Sequence, residues 1–438
     1  MAAGSRRRRR PLGLGAAALA LFLSVDHGRA AAQIRMAIPE PGGAGLPVAV
    51  SPLARGGAGP GRGIGERFAE LLGRDLAVSG YFRILDSRAH IEGPQGYTLE
   101  EIDFRNWSVL GALVLVKGAF SLDGDRLILE ARLFDVAQRK MLGGRRYRGR
   151  PEDWRRMAHR FADQILFDLT GERGPFDSRI AFVSRRAGRA KDIYVMDLSG
   201  DEISRVTPGA TLNLFPSWRP DGRALLFFSF MRGGPHPYTL EIGGGGAPRR
   251  VAGSPSFGGA WSPSGRTLAV SLERHGDSDL FLVSPEGKIV RQLTRHPGID
   301  VSPAWSPQGS EIAFCSSRSG RPQIYVLSVH SGRARRLTFR GTYNTSPAWS
   351  PKGNEIAYTG RVPGGFAVFT ISTRGGEPKQ LAFGEDPSWS PDGRYLVFSS
   401  TRRGRASLYV MTREGRSIRR LTGGLGDDTN PVWSDWLD

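Results

Sequence analysis

Five residues with the pattern Trp-Ser-Pro-x-Gly recur along the second half of the chain and restrict it to a repeat architecture. Full copies stand at Trp218-Arg219-Pro220-Asp221-Gly222, Trp261-Ser262-Pro263-Ser264-Gly265, Trp305-Ser306-Pro307-Gln308-Gly309, Trp349-Ser350-Pro351-Lys352-Gly353 and Trp389-Ser390-Pro391-Asp392-Gly393, and Trp433-Ser434 ends the series without its Pro or Gly. The tryptophans are 43, 44, 44, 40 and 44 residues apart, the length of one four-stranded propeller blade. Proline presets φ and glycine takes a positive φ without steric cost, so Pro-x-Gly predicts a tight turn between the first and second strands of each repeat.

After each tryptophan come three apolar runs at nearly fixed offsets, such as Glu311-Ile312-Ala313-Phe314, Gln323-Ile324-Tyr325-Val326 and Arg336-Leu337-Thr338. They are rich in β-branched and aromatic residues and bounded by Gly, Pro or Ser, as strands are. Residues 179 to 207 supply the last three strands of a repeat with no tryptophan strand before them, and Pro431-Val432-Trp433-Ser434 is a tryptophan strand with nothing after it. Joining the two makes six blades and leaves no sheet edge at the seam.

The chain starts with a different grammar. Arg6 to Arg10 form a basic block, Leu12 to Val25 an apolar stretch of 14 residues, and Ala30-Ala31-Ala32 a small-residue cleavage site before Gln33, the pattern of an export signal. Fourteen residues are too few to span a bilayer comfortably, so a protein that does not span the membrane is expected. Ser5-Arg6-Arg7 also fits a twin-arginine signal, and both routes lead out of the cytoplasm. The net charge of +19 falls to +14 once residues 1 to 32 are removed, and arginine dominates lysine throughout the blades. Scattered arginine without a basic helix or an RNA-binding aromatic signature argues against a nucleic-acid partner. The single cysteine, Cys315, lies in a second strand; no intramolecular disulfide is possible, and the residue reads as a small buried apolar group.

Residues 33 to 172 read as a small α/β domain. A strand is expected at Leu46 to Val50, a helix at Ile64 to Val78, a short strand near Tyr81 to Leu85 and a helix from Leu99 to Leu110. Three strands between Ala112 and Tyr147 follow, then a helix after Pro151 with Trp154, Ala158, Phe161, Ile165 and Leu169 on one face and Gly171 as its stop. The expected fold is therefore an N-terminal small α/β domain at 33–172 followed by an all-β six-bladed β-propeller at 173–438, closed by strand exchange between its two ends, behind a cleaved signal peptide at 1–32.

Asp75-Leu76-Ala77-Val78-Ser79-Gly80-Tyr81-Phe82, the stretch from Trp107 to Gly118, Trp154 to Gly171 running into Arg179-Ile180-Ala181-Phe182, and the six blades together resemble the TolB family of the Tol-Pal system. Related blades occur in peptidase-associated and lyase propellers, whereas the order of signal, α/β domain and six blades is more specific. The resemblance implies a non-enzymatic periplasmic adaptor without a cofactor. It would link the inner-membrane protein TolA to the outer-membrane lipoprotein Pal, serving outer-membrane integrity and invagination at division, with other outer-membrane or peptidoglycan-associated proteins as further partners. It also implies that Gln33, Ile34, Arg35, Met36, Ala37 and Ile38 bind TolA. The alternation of Ile34, Met36 and Ile38 suits a strand added to a sheet edge, either a partner's or the domain's own. Pal would dock on the propeller end carrying the loops that lead into each tryptophan strand.

Those loops place candidate contact residues before the proline, all polar but Phe215: Asn213 and Phe215, Asp300 and Ser302, Asn344, Thr345 and Ser346, Asp386, Asp428 and Asn430. As partner contacts they would surround one mouth of the central channel; the plainer reading is that Asn and Asp cap the turn before proline. The loop Ser254-Pro255-Ser256-Phe257-Gly258-Gly259 departs from the pattern and offers backbone or apolar contacts. An enzyme is the rival. No Gly-x-Ser-x-Gly elbow occurs, and His90, His159, His236, His275, His296 and His330 fall on separate elements, none on a tryptophan strand, so a metal-dependent lyase would need two of them to converge.

Overall fold

The structure, a computed structural model, describes residues 43–56, 63–188, 190–207, 209, 211–274, 276–423 and 425–437. The signal at 1–32 and the segment Gln33 to Ile38 lie outside the described residues.

The first described domain is one mixed sheet with helices packed on it. Its strands are β1 (Leu46–Val50), β2 (Ala54–Arg55), β3 (Phe82–Ile84), β4 (Val114–Asp123), β5 (Arg126–Asp135) and β6 (Lys140–Gly149), in the order β3-β1-β4-β5-β6 with β2 also on β4. Helix α1 (Ile64–Val78) buries Phe68, Leu71, Leu72 and Leu76 at helical spacing. Helix α3 (Trp154–Thr170) buries Met157, Phe161 and Ile165 and ends at Gly171, whose φ of 78° glycine takes at no steric cost. Helix α2 is only Phe104–Val109, shorter than the expected helix from Leu99. The Glu101 carboxylate folds back to accept the Tyr97 and Thr98 N–H groups at 3.2 and 3.1 Å, while Asp103 accepts from Arg105 N–H at 3.1 Å and so starts the helix late.

Six four-stranded antiparallel sheets make the propeller. In blade 1 the C-terminal strand Thr429–Trp433 pairs with Arg179–Ser184, which pairs onward to Asp192–Asp197 and Ser204–Arg205, so the ring is closed by its two ends. The first strands of blades 2 to 6 are Asn213–Trp218, Ser256–Trp261, Asp300–Trp305, Asn344–Trp349 and Glu385–Trp389. Every blade tryptophan sits opposite the same position of its second strand, Trp305 opposite Ile312 and Trp433 opposite Ile180. The turn after it closes through the glycine N–H, as in Gly309 to Ser306 O at 2.9 Å with a φ of 72°.

Burial joins one blade to the next. Trp261 packs with Leu226 and Phe228 of the preceding blade, and Trp349 with Ala313, Ile324 and Val326. Indole N–H groups cross two other seams, from Trp218 to Val432 O at 3.2 Å and from Trp389 to Ala348 O at 3.1 Å. Trp305 donates likewise to Ala260 O, yet it is less buried than the other five. A threonine after each of four outer strands accepts from the third strand, as Thr338 does from Ile324 N–H at 2.9 Å. Cys315 is buried in its second strand, and burial pushes its thiol up to about 11.

The α/β domain packs against the end of the propeller where the Pro-x-Gly turns lie. Tyr395 donates its hydroxyl to Ser79 O at 2.7 Å, and Arg394 donates to Arg173 O at 2.8 Å and pairs with Glu172 at 3.3 Å. Buried His159 of α3 sits between two carboxylates, its Nδ1 2.7 Å from Asp75 of α1 and its Nε2 3.3 Å from Asp197 at the end of a blade 1 strand. Burial alone would push His159 down, but the two carboxylates outweigh it and raise it to about 10. Asp197, although burial opposes its charge, is held well below the usual carboxylate range by His159, Ser199 and Arg155; Asp75 is pushed up by burial despite His159. Arg155 pairs with Asp197 at 2.8 Å and Arg74 with Asp201 at 2.6 Å along the same seam.

Candidate functional site

Among the described residues, the opposite end of the propeller is free of the α/β domain. All six first strands begin there, and each carries a β-bulge that starts four residues before its tryptophan, or five in the strand from Ser256. Inside the bulge, three residues before each tryptophan, the backbone is left-handed: Phe215, Ser302, Ser346, Asp386 and Asn430 have φ between 46° and 54°, and Gly258 takes 104°. Five of these precede a proline, which favours extended backbone. A non-glycine residue held in this region costs of order 1 to 3 kcal/mol, and such strain gathers at functional sites. The bulge turns the side chains towards the central channel.

The channel encloses about 460 Å³ and is lined at one mouth by this left-handed ring and further in by the tryptophans and the Trp-Ser-Pro prolines. Ser346 donates to Asp386 Oδ1 at 2.8 Å and Asn430 to Asp386 Oδ2 at 2.7 Å, a hydrogen-bonded arc across three blades. Asp386 has no ion-pair partner among the described residues, and burial pushes its carboxyl up against the pull of Ser346 and Asn430. Glu385 beside it is raised by burial and by the charge of Asp386.

Four of the expected contact residues are not available to a partner. Asn213, Asp300, Asn344 and Asp428 are buried two residues earlier in the strand and are used up within the blades. Asp300 accepts from Ser316 and Arg318 at 2.6 and 2.7 Å, and Asp428 from Ser184 and Arg186 at 2.6 and 2.7 Å. Asn344 donates to Gln323 at 2.9 Å, and Asn213 to Asp192 at 3.2 Å. Residues two apart would share a face of a regular strand, but the bulge breaks that alternation, so the side chain ahead of it turns into the blade and must be satisfied there. Phe215, Ser302, Ser346, Asp386 and Asn430 line the channel, and Thr345 is half-buried beside them. The Gly-rich strand from Ser256 has the same bulge, with glycine at the left-handed position.

A collar of exposed apolar side chains surrounds this mouth. Ile299, Phe339, Tyr343 and Leu425 lie on the connections that cross from an outer strand to the next first strand, Phe383 ends its outer strand and Phe257 is second in its first strand, with Phe339 and Leu425 72% and 78% exposed. Together with Phe215 they supply one such group from every blade. Sequence reasoning named Phe215 and the Phe257 loop but missed Ile299, Phe339, Tyr343, Phe383 and Leu425 by looking for polar residues; the signal was there, as an apolar residue beside glycine or arginine, seen in Phe339-Arg340 and Phe383-Gly384. Among the described residues no group of three or more His, Cys, Asp or Glu converges as metal ligands, and no helix is long and apolar enough to cross a membrane.

Architecture and site together define a two-domain propeller protein: six blades closed by the C-terminal strand, an α/β domain on one end and an apolar-collared mouth on the other. The chain belongs to the TolB family, since residues 167–437 match the TolB beta propeller domain and residues 34–142 the TolB amino-terminal domain. Among curated relatives, the Tol-Pal system protein TolB of Desulfosudis oleivorans is 38% identical over 232 residues, 52% of this chain and 53% of that protein. That of Syntrophotalea carbinolica is 39% identical over 198 residues, 45% and 46% of the two. The chain thus spans about half the length of the curated relatives it matches. A crystal structure of TolB from Acinetobacter baumannii superposes with a TM-score of 0.76 at 24% identity, over 89% of this chain and 97% of that one, which shows the fold.

Proposed function

We propose that this protein is a non-enzymatic periplasmic adaptor of the Tol-Pal system that holds Pal on the collared mouth and TolA on the segment Gln33 to Ile38. By bridging inner and outer membranes it would support outer-membrane integrity and invagination at division. The observation that carries the reading is the mouth: seven exposed apolar groups around a strained polar ring, on the end the α/β domain leaves open. Protein interfaces have such an anatomy, apolar and aromatic anchors beside a few fixed polar groups, and burying phenylalanines such as Phe339 and Phe383 is worth about 1.5 to 3 kcal/mol each. Family membership and the export-type start of the chain support the compartment and the system. Immobilised Pal should capture the wild-type chain, and Phe339→Ser/Phe383→Ser should lose that capture while keeping TolA; retention of Pal by this variant would reject the mouth as the Pal site.

A further inference from the structure

We propose that the free edge of β6 is a strand-addition site for an acidic, extended segment of another protein. Strand β6 lies at the outer margin of its sheet, paired only with β5 among the described residues, in regular antiparallel register from Leu127–Gly149 to Leu133–Gly143. A bulge interrupts that register at Leu142, so seven residues, Gly143 to Gly149, form a straight edge. No described backbone group reaches the outer side of this stretch. A row of unpaired N–H and C=O groups is a template for another strand, which is why proteins cover or charge such edges.

Helix α3 covers one face of β6, where a Cβ on Gly143 would meet Asp168 and one on Gly149 would meet Asp153 and Met157, but it leaves the edge open. On the alternate face Arg146 and Arg148 are exposed and make no ion pair among the described residues; Arg145, on the α3 side with Gly143, donates to the neighbouring Gly144 O and its charge acts on Asp168. Unpaired arginines repel a second copy of this edge and attract a strand bearing carboxylates, because opposite charges across a strand pair stabilise it and like charges do not. The chain's own alternating segment, Gln33 to Ile38, carries Arg35 and no acid, so charge disfavours it as the occupant. Strand addition gives affinity through the main chain and selectivity through alternate side chains; here the selectivity is for acid.

The probe is a fluorescent peptide alternating glutamate with threonine and valine, and its counterpart with lysine for glutamate, titrated into the mature chain. Saturable binding of the acidic peptide alone is expected, weakened by salt, with hydrogen-exchange protection confined to residues 143–149. Arg146→Glu/Arg148→Glu should weaken it about tenfold, the combined scale of two or three exposed ion pairs, and Arg146→Lys/Arg148→Lys should restore it. Equal binding of both peptides, protection elsewhere, or an unchanged charge-reversed variant would overturn the proposal. So would a gain of exchange at 143–149 on deleting Gln33 to Ile38, which would make the occupant this chain's own segment.

Discussion

The two ends of the propeller are built from the same six strands yet hold opposite kinds of surface. At the domain-facing end, buried polar groups pair across the seam, with Asp75 Oδ1 alone among the groups named left without a hydrogen bond: His159 lies between Asp75 and Asp197, Tyr395 on Ser79 O and Arg394 on Arg173 O. At the mouth, the backbone is strained, Asp386 makes no ion pair among the described residues and phenylalanines stand in solvent. A matched surface has nothing left to offer a partner, whereas an unmatched one releases free energy when covered. The contrast is what the proposed function needs, with stability carried at one end and the proposed recognition at the other.

Ring closure underlies both ends, so breaking it should have the largest effect. Deleting residues 430–438 removes the strand that pairs with Arg179–Ser184, the Trp433 indole bond to Ser178 at 2.8 Å and the Trp436 bond to Gly174 O at 2.8 Å. Loss of cooperative unfolding and aggregation through the exposed edge are expected in calorimetry and light scattering.

Next comes the domain seam. His159→Leu leaves Asp75 buried without its cation and should cost about 3 to 5 kcal/mol in denaturant unfolding, the range for breaking a buried pair from one side. The pH dependence has a defined sign. His159 is raised to about 10 in the folded protein, so its contribution is complete below about 6.5 and fades as pH climbs through 10. Asp197 is lowered, so its contribution is present at neutral pH and fades as pH falls below the ordinary carboxylate range. Melting temperature should therefore decline from pH 6.5 towards 10 in the wild type and lose that slope in His159→Leu.

The seams between blades sharpen the comparison further. Trp349→Ala should cost about 3 to 5 kcal/mol by opening a cavity, and Trp305→Ala less, because Trp305 is only partly buried. The mouth should respond least: Phe339→Ser/Phe383→Ser removes exposed groups and should shift stability by no more than about 0.5 kcal/mol.

Much of this was legible in the sequence because periodicity is a global signal. The six-fold spacing of tryptophan fixed blade number and seam, and helix α1 and strand β1 have the bounds their apolar spacing predicts. What escaped was local competition. Glu101 and Asp103 take backbone N–H groups that a longer helix would need. The residues before the prolines were read as a mouth lining, but a bulge divides them: Asn344 turns inward to Gln323 while Ser346 faces the channel. A one-residue bulge leaves no mark on composition, and it alone decides which side chains a partner can meet.

The central claim, that recognition lives at the mouth, is tested most directly by hydrogen exchange on the mature chain with and without Pal. The expected result is protection at the starts of the six first strands and their preceding connections, around Phe215, Phe257, Ile299, Tyr343, Phe383 and Leu425, with the His159 seam unchanged. Protection at the Pro-x-Gly turns or within the α/β domain, with the mouth exchanging as before, would contradict it.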